Sequence, residues 1–165
     1  MKARNVALTL GLLGLAGFGA RSACNAITTH AADETLVGRV WLDHIPTKPN
    51  EHCEWFVVVA QTDTEGQGVF ARASQFDGAF SVFGWKAQKK GELTIEMLQD
   101  GTRHKLKYTA TNCDKDGFDY CLEVTGAPKG AARYGSKHGW ELGVDDPTEL
   151  DAALQKFKRE ELPAE

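Results

Sequence analysis

No apolar run in this 165-residue chain is long enough to cross a bilayer as a helix. The longest, Val6 to Ala20, falls short of the roughly 20 residues that a spanning helix needs. There is no internal repeat and no low-complexity tract, which excludes a solenoid or a disordered array. No Asn-x-Ser/Thr site occurs. The Gly-x-Ser-x-Gly pattern of a nucleophile elbow is missing. Gly130 to Lys137 ends Gly-Ser-Lys rather than Gly-Lys-Ser/Thr, so it is not a phosphate loop. Cysteines number only four: Cys24, Cys53, Cys113 and Cys121.

What is present begins with an address. Met1-Lys2-Ala3-Arg4 is cationic, Val6 to Ala20 is apolar, and small residues with a cysteine follow at Ser22-Ala23-Cys24. That order is the layout of a secretory signal, and it predicts export of the remainder. Cleavage after Ser22, before Cys24 or after Ala26 would each leave small residues at the cut. Cleavage before Cys24 resembles processing of a bacterial lipoprotein signal, with Cys24 carrying the lipid and Asn25 fitting an outer-membrane destination. Arg21 stands where that family's lipobox has an aliphatic residue. The expected divisions are a signal at 1–23, a polar tether at 24–34 and one domain at 35–162. The expected location is extracytoplasmic: periplasmic or outer-membrane-anchored if Cys24 is acylated, otherwise secreted.

The whole chain carries 19 basic and 23 acidic residues, a net −4. Losing the signal removes Lys2, Arg4 and Arg21 and no acid, leaving 16 basic against 23 acidic residues, or −7. An acidic surface repels nucleic acid and anionic headgroups, so neither is an expected partner. A membrane enters only through the lipid on Cys24. In an oxidising compartment Cys113 and Cys121, which flank a tight turn, are the expected disulfide. Cys53 then stays a buried thiol or pairs with Cys24.

From Thr35 the pattern is one of short β-type runs separated by turn chemistry. The runs are Leu36–Leu42, Trp55–Ala60, Gln67–Ser74, Ala79–Trp85, Glu92–Leu98, His104–Thr111 and Phe118–Val124, with a short last strand near Trp140. Trp55–Ala60 is apolar throughout, as a strand buried on both faces would be. Asp77-Gly78, Asp100-Gly101 and Asp116-Gly117 are hairpin signals, because Gly accepts the positive φ of a two-residue turn and Asp tolerates it. Asp146 as cap and Pro147 as first residue predict a helix over about 147–161, with Leu150, Ala153, Leu154 and Phe157 on one stripe.

The expected fold is all-β with one C-terminal α-helix: an antiparallel up-and-down barrel of about seven or eight strands. A disulfide-stabilised β-sandwich is the alternative. This pattern is similar to the lipocalin-like (calycin) barrels, which also pack a late helix against the wall. That family's first strand carries Gly-x-Trp. Here Gly38 and Trp41 are spaced one residue wider, which reverses the face of Trp41 in a regular strand.

Three side-chain groups invite a functional reading. Asn112, Asp114, Asp116 and Glu123 stand at calcium-loop spacing around Gly117, but their flanks read as strands, and a solvated turn is the competing reading. His44, His52 and Cys53 are zinc-type ligands with no second cluster behind them. Lys129, Arg133, Tyr134, Lys137 and Trp140 form a basic-aromatic stretch in an acidic protein, a candidate binding rim. No catalytic residue and no cofactor is implied. The leading expectation is a non-catalytic barrel that binds a small apolar or amphipathic ligand. The alternatives are an envelope module that binds a protein through its rim, and a small enzyme. A hollow interior favours the first; a filled interior with exposed aromatics favours the second.

Overall fold

The computed structural model describes residues 35–144 and 147–163. The predicted signal, Cys24, the tether and Asp146 lie outside the described residues. Eight strands, β1 (Val40–Leu42), β2 (Cys53–Thr62), β3 (Glu65–Ala73), β4 (Gly78–Lys89), β5 (Glu92–Met97), β6 (Arg103–Lys115), β7 (Phe118–Thr125) and β8 (Arg133–Ser136), follow one another around the sheet. They close into an antiparallel barrel in sequence order, and the sandwich alternative is set aside. A 3₁₀ turn at Pro147–Glu149 leads into α1 (Leu150–Glu161).

Alternation along each strand divides the apolar residues into two cores. In β2, Phe56 and Val58 point inward while Trp55, Val57 and Val59 point outward, and all five are buried. The inner core is filled by side chains. Phe56, Phe70, Phe83 and Tyr134 lie ring against ring, with centroid separations of 4.7 Å for Phe70–Phe83 and 5.6 Å for Phe56–Tyr134. Trp85 donates its indole N–H to the carbonyls of Val59 and Gln67, at 3.0 and 3.1 Å. The outer core lies beneath α1, where Phe157 meets Trp55 and Trp140 edge to face at 5.5 and 5.1 Å. An outward row of Trp, Val and Phe on the wall is what makes the helix stay.

Four expectations change in detail. The first strand shrinks to Val40–Leu42, because Gly38 adopts φ 76° and Leu36-Val37 turn inward as a plug. Gly38 therefore lies outside the strand and fixes no face; Trp41 points into the barrel and donates to the Leu36 carbonyl at 3.1 Å. The last strand is Arg133–Ser136 rather than the Trp140 region. It meets β1 through the pair Leu42↔Gly135, and Gly135 is bare because the Phe118 ring occupies the place of a Cβ. The helix proper starts at Leu150, after the 3₁₀ turn.

The hairpin signals differ in strength. Asp116 and Gly117 both take positive φ, 54° and 80°, as a two-residue turn of the type-I′ class requires. Asp100-Gly101 sits in a longer connection, where the Asp100 carboxylate accepts from Thr102 N–H and hydroxyl at 3.0 and 2.7 Å. At Asp77-Gly78 the turn is made by Ser74, whose N–H donates to the Asp77 carbonyl, and Gly78 already belongs to β4.

Candidate functional site

The disulfide joins Cys113 to Cys121 across the β6–β7 hairpin. Cys53 is a buried free thiol on the outer face of β2. Burial pushes its ionisation up to about 11, so it is a neutral thiol at physiological pH. It points its proton at the Ala73 carbonyl, 3.7 Å away.

The calcium-spaced residues do not form a ring of oxygens. Asn112 is paired with Tyr120 in the ladder and Glu123 with Thr109, while Asp116 sits at the hairpin tip. Glu123 pairs instead with Arg133 at 3.5 Å. His44 contacts Asp43 and Glu51, and His52 contacts Asp77 at 3.0 Å; Cys53 faces the wall. Among the described residues no three His, Cys, Asp or Glu are grouped as a metal site.

The basic-aromatic stretch is dispersed by the fold. Tyr134 is 4 % exposed inside the barrel, its hydroxyl accepting from Ala131 N–H at 2.7 Å, and burial raises its ionisation above the ordinary tyrosine range. Trp140 is buried under α1 and donates to Glu161 at 2.9 Å. Lys137 is half-buried with its ammonium over the Trp140 ring. Lys129 reaches Ser81 at 2.7 Å, and Arg133 lies on the outer wall. These five residues make no common exposed rim, because β8 turns alternate members to opposite faces.

At the mouth holding the β6–β7 tip, polar groups lock the chain. Arg39 is buried, ion-paired to Glu141, with its guanidinium 4.1 Å from the Tyr120 ring centre. Tyr120 hydroxyl and His138 Nδ1 are 3.0 Å apart, and His138 N–H donates to Asp119 at 2.8 Å. The composition gives no hint of this knot, since its members lie up to 102 residues apart.

No family model, no curated protein and no solved structure matches the chain.

One concavity that the described residues form lies on the outside of the barrel. A trough of about 570 Å³ runs between α1 and the outward faces of β3 and β4. Val69, Ala71, Ala73 and Val82 make its floor, Leu150 and Leu154 its helical wall, and Phe76 and Phe80 its open flank. Phe76, Phe80 and Leu98 are the exposed large apolar side chains, at 62, 71 and 57 %. Two residues lining the trough carry buried polar atoms with no hydrogen-bond partner, Trp55 Nε1 and Gln75 Oε1. The indole N–H of Trp55 favours the Cys53 thiolate, but the sulfur is protonated at neutral pH and accepts poorly. The sequence showed Trp55 and Phe80 only as apolar residues of alternating runs. The trough needs α1 to come to rest over β2, leaving the outer faces of β3 and β4 half-covered.

Proposed function

We propose that the protein is an extracytoplasmic binding module whose ligand is a small amphipathic molecule, held in the trough beside α1. The observation that carries this reading is the trough's make-up: an apolar floor of Val69, Ala71, Ala73 and Val82 and an apolar helical wall of Leu150 and Leu154, edged by the polar side chains of Gln67, Asp77, Asp151, Gln155 and Lys158. An apolar body would rest on the floor while a polar head meets the rim, which is the division of chemistry that an amphipathic ligand has. The trough's volume lies in the usual range for small-molecule sites. The filled interior weighs against a ligand at the centre of the barrel, the place that the lipocalin-like resemblance implies. Export is supported by the Cys113–Cys121 bridge, since such bonds persist in oxidising compartments. No described helix is long and apolar enough to cross a membrane.

The test is a fluorescence titration with N-phenyl-1-naphthylamine, an apolar amine. One saturable site is expected, abolished by Ala71→Trp, which fills the trough floor. Binding that is unsaturable, or equal in Ala71→Trp, would remove the trough as the site. A second reading, a protein-binding module, is favoured by Phe76 and Phe80, exposed large apolar side chains on the same trough flank, since exposed apolar surface marks contact sites.

A further inference from the structure

Strand β4 pairs with β3 along its length, from Glu65↔Lys86 down to Ala73↔Gly78. Its other neighbour, β5, covers less of it. The β4–β5 ladder starts at Phe83↔Met97, and Leu98 N–H reaches the Val82 carbonyl at 3.0 Å. The Gln99 side-chain amide completes the pairing at Val82: turned to match, its oxygen is 2.8 Å from Val82 N–H and its nitrogen 3.1 Å from the carbonyl. Backbone groups of alternate residues point to the same side of an antiparallel strand, so Phe80 N–H and C=O face the same way as those of Val82. Neither β5 nor Gln99 extends to them. Gly78, Ala79 and Phe80 are all exposed.

This stretch has none of the devices that blunt a sheet edge. Gly78-Ala79-Phe80-Ser81 contains no charge, no proline and no bulge, and its outward side chain is an exposed phenylalanine. We propose that the edge of β4 at Gly78–Ser81 accepts an extended segment of a partner protein as an added strand, one whose residues alternate apolar and acidic. The proposal goes beyond the trough ligand and rests on different groups, Phe80 being common to both.

The alternation follows from the register. A strand continuing the line of β5 puts an outward side chain opposite Phe80, beside exposed Leu98, and an apolar residue fits there. The flanking residues of that strand point inward, opposite Ala79 and Ser81. Lys129 holds its ammonium 2.7 Å from Ser81 Oγ; it acts on the Asp100 carboxylate from a distance but makes no close ion pair among the described residues. An acidic side chain at the inward position supplies one. The two nearby carboxylates are already engaged, Asp77 by Ser74 and His52 and Asp100 by Thr102.

The probe is a fluorescein-labelled peptide alternating leucine and glutamate, titrated against the whole protein and followed by anisotropy and by hydrogen exchange. Saturable binding is expected, with exchange of the Phe80 amide, fast in the free protein, slowed on binding. Phe80→Pro deletes a donor that makes no native ladder bond and should weaken binding about tenfold or more. Lys129→Glu, a surface change that leaves the fold intact, should weaken it about fivefold and turn preference toward a leucine–lysine peptide. No binding, binding equal in Lys129→Glu, or an unprotected Phe80 amide would overturn the proposal. So would Phe80 protection that rises with protein concentration without peptide, which would assign the edge to a second copy of this chain. None of these outcomes alters the naphthylamine titration, so the two readings fail separately.

Discussion

At the residue scale, the loops at the Ser74 end of the barrel are held by carboxylates acting as acceptors. Asp77 is kept below its ordinary value first by the Ser74 hydroxyl and then by His52, and Glu51 is lowered first by the Thr47 N–H and then by its hydroxyl. A depressed carboxylate contributes stability in full above its unfolded-state value, and the contribution is lost as pH falls through its folded-state value. For Asp77 the window therefore opens near 3.8 and extends below it. Ser74→Ala is expected to be less stable than the native protein at neutral pH, with the gap narrowing as pH falls below 3.8 and Asp77 takes up its proton. Part of the gap persists, because the hydroxyl also accepts from the N–H groups of Phe76 and Asp77 at 3.3 Å. Urea midpoints followed from neutral pH down through the acid range measure it. A gap that is constant or widens in acid would contradict the assignment.

At the scale of elements, the β6–β7 hairpin projects past its neighbour, since β5 pairs with β6 only from Arg103 to Lys107. The projecting part is fastened by the Asp116-Gly117 turn, the Cys113–Cys121 bridge and Phe118 packed edge-on to Trp140. The bridge closes a short loop, so its chain-entropy contribution is about 2–3 kcal/mol. Replacing both cysteines by serine should lower unfolding free energy by that amount and leave the sheet intact. Denaturant unfolding with far-ultraviolet dichroism tests this; an unchanged midpoint would show that the turn alone fixes the hairpin. Helix α1 is an element of a different kind. Its Leu150 and Phe157 are buried on the wall, so it holds by packing, and no side-chain cap bonds its start at Glu149.

At the scale of the whole molecule, the barrel is a container already full of its own side chains. Eight strands enclose just enough space for packed side chains or for one small ligand, and here aromatic rings take that space. Phe83→Ala should cost about 3–5 kcal/mol and leave a dry void beside Phe56 and Phe70 that takes up benzene or xenon. Thermal unfolding with and without xenon measures both effects. A loss below about 1 kcal/mol would mean that the interior is looser than its packing shows. The surface left bare is on the outside, where α1 covers only part of the wall and β4 outruns β5.

The chain's own pattern marked β2 to β7 and the late helix, because period-two alternation and Asp-Gly turns are local and survive without context. It also determined the Cys113–Cys121 bridge, since both cysteines flank one turn whose φ values only Gly and a few polar residues accept. Tertiary structure alone decided three things. It placed β8 in Arg133–Ser136, a run too short and too glycine-rich to signal a strand until Phe118 covers Gly135. It sent Tyr134 inward and Trp140 under the helix, which dispersed the expected rim. And it fixed which face stays bare, because where α1 comes to rest and where β5 ends depend on non-local packing that no window of sequence contains.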